Sequence, residues 1–253
     1  MIIIGAGRVG TALHTRSLAS GVSCELVERD QGWDALDGPP GVAVVVAVRN
    51  DDLPDVVAQV PLHRRDDLVF IQNGMVRTWL RKNALGRCTR GLLYFAVPRR
   101  GAEIVFGDSS PFCGPYGLAM VQWLVTIGVK SHQVDWASFS ARELEKLIWN
   151  SAFGLMCEHY GCSVGTIVDD HHGELQSLVT EMSAVGRAKM GVDVPLDFLM
   201  GRLCDYSRTI ADYRGGVSEF PWRNGWFVKA AAQRNVSTPV HHELLRSVGR
   251  PQD

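Results

Sequence analysis

The residues best suited to do chemistry fall in two groups, one at the N-terminus and one beyond residue 140. Gly5-Ala6-Gly7-Arg8-Val9-Gly10 has the G-x-G-x-x-G spacing and stands between the β-branched run Ile2–Ile4 and a helical stretch. In that setting the first glycine permits a tight turn and the second lets a pyrophosphate approach the backbone. The third lets the helix pack closely on the strand. Free N–H groups and the helix dipole would then hold the phosphate charge. A glycine turn without a ligand is the plain alternative, and the strand–turn–helix context speaks against it.

Glu28 and Arg29 close the next strand-like run. An acidic side chain there binds the ribose diol of NAD, whereas an arginine pairs with the 2′-phosphate of NADP. Arg29 also has the ordinary option of a surface ion pair with Glu28 or Asp30. The balance favours NADP(H) over NAD(H).

In the second group, Lys146, Asn150 and Gly154 are spaced four apart along the apolar stretch 144–156, so they share one face of a largely buried helix. A lysine on such a face must pair, snorkel or meet a cavity. A catalytic ammonium and a structural pair with Glu143 or Glu145 are equally good readings of the stripe alone. Asn73-Gly74 ends a strand-like run at its carboxyl end, where open α/β sheets bind ligands; a turn asparagine is the other reading. Glu219 sits in the aromatic segment Ser218-Glu219-Phe220-Pro221-Trp222-Arg223-Asn224-Gly225-Trp226-Phe227. It is either desolvated for a purpose or salt-bridged to Arg223.

The elements that must position these residues change character along the chain. Up to about residue 133, short strand-like runs (Ile2–Ile4, Cys24–Val27, Val42–Val48, Leu68–Ile71, Leu92–Val97, Glu103–Phe106) alternate with helical or turn-rich segments. Alternation of this kind, with a near-continuous valine run, predicts a doubly wound, mainly parallel sheet of Rossmann type. From residue 134 the pattern is helical, over Ser140–Tyr160, Glu174–Met190, Pro195–Tyr213 and Phe227–Arg234, with a polar tail after the last. The expected organisation is an α/β dinucleotide-binding domain at 1–133 followed by an all-α substrate and catalytic domain at 134–253.

Composition narrows the partners. The chain has 253 residues, with 26 basic and 27 acidic side chains. Neither half is a polycation, which argues against nucleic acid and against an anionic membrane surface. No apolar run approaches the ~20 residues of a membrane span, and no charged leader precedes Met1–Ile4, so a cytoplasmic protein is expected. The six cysteines include no C-x-x-C pair, as expected of reduced thiols rather than disulfides or a zinc site. The pairs His171-His172 and His241-His242 are adjacent residues that do not share a face, so no metal is expected. Trp222, Trp226 and Phe227 suit a homodimer face or an interdomain core equally.

Taken in order, Gly5-x-Gly7-x-x-Gly10, Gln72-Asn73-Gly74-Met75, Lys146-x-x-x-Asn150, and Glu219 followed by Asn224-Gly225 make the chain resemble the ketopantoate reductase family over essentially its whole length. The resemblance implies an NADPH-dependent reductase of a 2-oxo acid or similar small ketone. Lys146 would be the catalytic proton donor, Asn73 and Asn150 would fix cofactor and substrate, and Glu219 would bind a substrate hydroxyl. It further places Arg29 and Arg49 near the cofactor phosphates, beside Gly5, Ala6, Gly7, Arg8, Val9 and Gly10, and Ser207 near the substrate carboxylate. The chemistry agrees, since an ammonium both stabilises charge growing on a ketone oxygen and delivers its proton.

The departures are equally specific. Only Asp30–Gly41 separates the second strand from the valine strand, so part of the usual first domain is missing. Gly154 stands where the family repeats asparagine, His172-Gly173-Glu174-Leu175 replaces Asn-Gly-Glu-Leu, and Pro221 replaces an aspartate. These changes point to a shortened, divergent member acting on a different 2-oxo acid or ketone. The competing readings are a catalytically silent dinucleotide-binding sensor or scaffold, and another enzyme of the β-hydroxyacid dehydrogenase type.

Overall fold

The computed structural model describes residues 1–251, which form two compact units, Met1–Phe139 and a second beginning at Ser140. The division lies later than residue 133, inside the first long helix of the second half.

The first unit is built on a seven-stranded sheet. Strands β1 (Ile2–Ile4), β2 (Glu25–Val27), β3 (Val44–Val46), β4 (Leu68–Phe70) and β5 (Thr89–Gly91) run parallel in the order β2-β1-β3-β4-β5. A small antiparallel pair, β6 (Phe95–Ala96) and β7 (Val105–Phe106), lies outside that sheet. The main sheet continues with β8 (Ser110–Cys113), antiparallel to β5, and β9 (Ser131–Gln133), parallel to β8. Helices α1 (Arg8–Ala19), α2 (Leu53–Gln59), α3 (Arg77–Lys82) and α4 (Gly117–Thr126) connect the strands. β1, β3 and β4 are buried along their whole length, which is why they are continuous Ile and Val runs rather than alternating ones.

The order 2-1-3-4-5 puts the topological switch between β1 and β3, whose carboxyl ends carry Gly5 and Val48-Arg49. β2 is an edge strand, and its connection to β3 holds only a 3-10 turn at Trp33–Leu36. Arg64 pins this short connection. It is almost fully buried, donates to the carbonyls of Leu36, Gly38 and Val42, and pairs with Asp67 at 2.6 Å. Asp67 in turn accepts from the Gly41 N–H.

The second unit is helical among its described residues: α5 (Trp136–Tyr160, entering from the first unit), α6 (Val164–Asp170), α7 (His172–Met190), α8 (Leu196–Thr209), α9 (Asn224–Arg234) and α10 (Pro239–Ser247). The last of these corrects the expectation of a polar tail. His241, Leu244 and Leu245 lie three and four apart and turn one face of α10 into the core. Phe227 is fully buried against His241 rather than on a surface, which removes it as a dimer contact. No described helix is long and apolar enough to cross a membrane.

Candidate active site

At the switch point the glycine loop is built as its spacing predicts. Gly5 has φ +112°, and a Cβ there would lie 2.8 Å from both the Ala47 carbonyl oxygen and Val48 Cγ1; a Cβ at Gly10 would collide with the Gly5 carbonyl. Those two glycines are required by the protein itself. Gly7 is different, because a Cβ there would meet nothing within 4 Å. It caps α1 with no side-chain hydrogen bond, and the first turn of α1 has no acidic residue. The first intrahelical bond runs from Thr11 N–H to Gly7 O, so the amides before it point out of an open helix N-terminus. A pyrophosphate fits this cradle on both counts, open backbone and positive dipole end.

The neighbouring strand ends converge on the same place. Gly5 N–H donates to Val27 O at 2.9 Å, which puts Glu28 and Arg29 next to the loop. Glu28 N–H closes a turn on Gln31 O, and the Trp33 indole donates to the Arg29 carbonyl. Among the described residues, the Arg29 side chain has no hydrogen bond or ion pair, so the surface pair with Glu28 or Asp30 does not form. Arg49, also exposed, follows β3 and has no such partner either. Arg8 is exposed and donates to the Pro98 carbonyl at 3.3 Å.

Asn73 stands at the carboxyl end of β4, and its carbonyl accepts from Asn50 Nδ2 at 2.7 Å. Gln72 Nε2 donates to the Val46 and Val48 carbonyls, tying the same two strand ends. Asn50 Oδ1 and Gln72 Oε1 are buried with no partner. Asn50 is a residue that sequence reasoning missed. It follows the valine strand just as Asn73 follows the next one, and the same carboxyl-end rule would have found it.

In the second unit Lys146 lies one turn before Asn150, whose Nδ2 donates to the Lys146 carbonyl at 2.8 Å. Glu145 is taken by Arg202 at 2.9 Å and by Arg142. Burial pushes the Lys146 ammonium down to about 7, and the nearby positive charge of Arg223 adds to the shift. Arg223 donates from Nη2 to Glu219 at 2.7 Å and from Nη1 to Ser218 Oγ at 2.8 Å. Glu219 adopts the left-handed conformation, φ 48°, uncommon for a residue with a side chain. Of the two readings of Glu219, the structure therefore gives the ion pair. Lys146, Asn150, Glu219 and Arg223 come together; Ser207 serves the framework. It is fully buried, accepts from the Trp149 indole at 2.9 Å and donates to Leu203 O at 2.8 Å.

The next turns of the same face explain Gly154. A Cβ there would lie 2.8 Å from the Gly216 carbonyl oxygen, so the Gly215–Gly216 backbone lies directly on the helix. Glu158, one turn further on, fastens that loop by accepting from Val217 N–H at 2.7 Å, and Arg250 holds its other oxygen at 2.9 Å. The loop runs straight into Ser218 and Glu219.

Residues 138–252 match the family model described as ketopantoate reductase PanE/ApbA C terminal. That match spans the helical unit. Solved structures similar to the chain over nearly its full length agree in fold. D-mandelate dehydrogenase, solved with NADH and anilino(oxo)acetate, superposes with a TM-score of 0.77 at 12% identity, covering 98% of this chain and 97% of that one. A PanE/ApbA family ketopantoate reductase from Ralstonia eutropha gives 0.75 at 17% identity, with 98% and 97% covered. A dimeric ketopantoate reductase from Staphylococcus aureus gives 0.75 at 16%, with 98% of each chain covered. No curated protein sequence matches the chain.

Proposed function

We propose that the chain is an NADPH-dependent oxidoreductase that reduces a 2-oxo acid or similar small ketone. The observation that carries this reading is the Lys146 ammonium, desolvated to about 7, on a ketopantoate-reductase helical unit. A dinucleotide held at Gly5–Gly10, with Asn73 beside it and Arg29 and Arg49 available for a 2′-phosphate, would supply the hydride. Lys146 gives its Nζ proton to the carbonyl oxygen as the C=O π bond opens and carbon gains hydrogen. Its positive charge stabilises the oxygen before the proton moves. A lysine that titrates near neutrality is matched to that task, since it is a stronger acid than an ordinary ammonium and still substantially protonated. Asn150 steadies the Lys146 turn through its bond to the backbone, and Ser207 acts at one remove by orienting Trp149. Gly154, His172 and Pro221 support a substrate other than ketopantoate. The dimeric Staphylococcus aureus structure supports a homodimer, which sedimentation of the purified protein would test.

The test is a side-by-side titration of purified protein with NADPH and NADH, followed by 2-oxo acids and loss of nicotinamide absorbance. NADPH binding with turnover supports the reading in full. Binding without turnover of any 2-oxo acid would favour the silent sensor, and binding of neither nucleotide would remove the reductase.

A further inference from the structure

We propose that Arg223 is the ligand for the substrate's carboxylate, and that Glu219 acts on Arg223 instead of on the substrate. The inference rests on the reductase reading and names the substrate class of that site: 2-oxo acids with no hydroxyl requirement.

The Arg223 guanidinium has donors left to give. Arginine carries five N–H donors. Nη1 donates to Ser218 Oγ and Nη2 to Glu219, while Nε is buried and has no partner. The Arg223 side chain is only 12% exposed and that of Glu219 17%, so the pair is held away from bulk water, where charge-assisted bonds are strongest. A guanidinium that already holds one carboxylate, with donors to spare and near the Lys146 ammonium, can take a second carboxylate. A 2-oxo acid presents its carboxylate one bond away from the ketone, so a cation close to the proton donor is where that carboxylate must be met.

The same geometry removes the hydroxyl ligand. Glu219 is committed to Arg223 at 2.7 Å and fixed there by its own left-handed backbone and by the loop fastened through Glu158. Ser207 is spent on Trp149 and Leu203, and Gly154 offers no side chain. Trp149, next to Asn150 on the helix, is packed with Phe153, Tyr206 and Tyr213.

Three probes separate the possibilities: trimethylpyruvate, its methyl ester, and ketopantoate, which differs from trimethylpyruvate by one hydroxyl. Each is titrated by calorimetry against the NADPH-loaded protein, and its KM is measured where turnover occurs. Arg223→Gln is expected to weaken both 2-oxo acids on the order of a hundredfold and leave the ester unchanged. Arg223→Lys keeps the charge and the Glu219 pair if Arg223→Gln fails to fold, and is expected to cost about tenfold. Glu219→Gln should weaken trimethylpyruvate and ketopantoate equally, by a few-fold. If Arg223→Gln and Arg223→Lys bind the acids as wild type does, if acid and ester weaken together, or if wild type binds neither acid, the proposal is overturned. A Glu219→Gln loss confined to ketopantoate overturns it too. Arg223-dependent binding of the acids without any turnover would uphold the carboxylate site while removing the reductase.

Discussion

The glycine loop of the first unit and the Lys146 face of the second are built by opposite means. At Gly5–Gly10 the groups on offer are backbone amides, and the side chains matter because they are absent. On α5 the groups are side chains drawn from segments far apart in sequence, Lys146 from one helix and Glu219 and Arg223 from a turn more than seventy residues on. A backbone site tolerates no added carbon where the chain is crowded, whereas a side-chain site tolerates substitution but loses its charge balance. The two therefore fail differently, and the largest expected failure is on the side-chain site.

Lys146→Ala should lower turnover by a factor of about 10²–10⁴, the usual worth of a positioned general acid, while NADPH affinity stays within about twofold. Steady-state kinetics beside a nucleotide titration separate the two. With wild type, the rate of ketone reduction should fall as pH rises through about 7, because the reduction consumes the protonated lysine. The reverse oxidation should rise through the same pH. Folding carries the matching sign. The folded pKa lies below the unfolded one, so between about 7 and the ordinary lysine value the unfolded chain binds more protons. Stability then increases with pH across that window. Urea titrations at several pH values should show this slope in wild type and lose it in Lys146→Met. An unchanged slope would place the desolvated ammonium elsewhere.

Next in size is a contrast inside the glycine loop. Gly10→Ala drives a Cβ into the Gly5 backbone and should cost about 3 kcal/mol, with loss of nucleotide binding. Gly7→Ala meets nothing in the protein, so Tm should hold steady. NADPH affinity should nevertheless fall at least about tenfold, because the space it fills is the one a pyrophosphate approaches. Equal affinity for NADPH in Gly7→Ala and wild type would mean the phosphates bind somewhere else.

How far each site was legible follows from the same contrast. The glycine motif is local, so six consecutive residues declare the turn, and the valine strand beside it declares its burial. Strands β5 and β8 were not legible. Thr89–Gly91 carries a buried arginine and Ser110–Cys113 a proline, and only pairing within the sheet makes strands of them. Helix α10 hid its apolar face behind two histidines and three charged or polar neighbours, of which His241 is buried. The Lys146-Asn150-Gly154 stripe was visible as spacing, but neither its partner Arg223 nor the reason for Gly154 could be seen, since both depend on a loop brought in by tertiary folding.

That loop gives the third prediction. Gly154→Ala gains up to about 1 kcal/mol in helix propensity, but its Cβ falls 2.8 Å from the Gly216 carbonyl. The net expectation is a loss of about 1–2 kcal/mol in urea unfolding. A rise in KM should accompany it, because displacing Gly215–Gly216 moves Glu219 and Arg223. A stabilised variant with unchanged KM would show that the loop and the ion pair are independent.

The smallest effect sharpens the comparison most, because it asks whether the first unit also uses a side chain. Arg29 is exposed and unpaired at the end of β2, while Glu28 is only partly exposed beside it. If Arg29 meets a 2′-phosphate, Arg29→Ala removes one exposed, solvent-screened contact, and NADPH affinity should fall about tenfold with NADH affinity unchanged. The loss should shrink as salt rises, since a surface charge pair is screened over a Debye length of ~10 Å at 0.1 M. Glu28→Ala acts in the other direction: taking a carboxylate away from the same spot should strengthen NADPH and weaken NADH by a few-fold each. Opposite shifts in the two variants would assign the choice of cofactor to these two side chains. If Arg29→Ala weakens NADH as much as NADPH, the arginine serves the shared pyrophosphate, and the discrimination passes to Arg49.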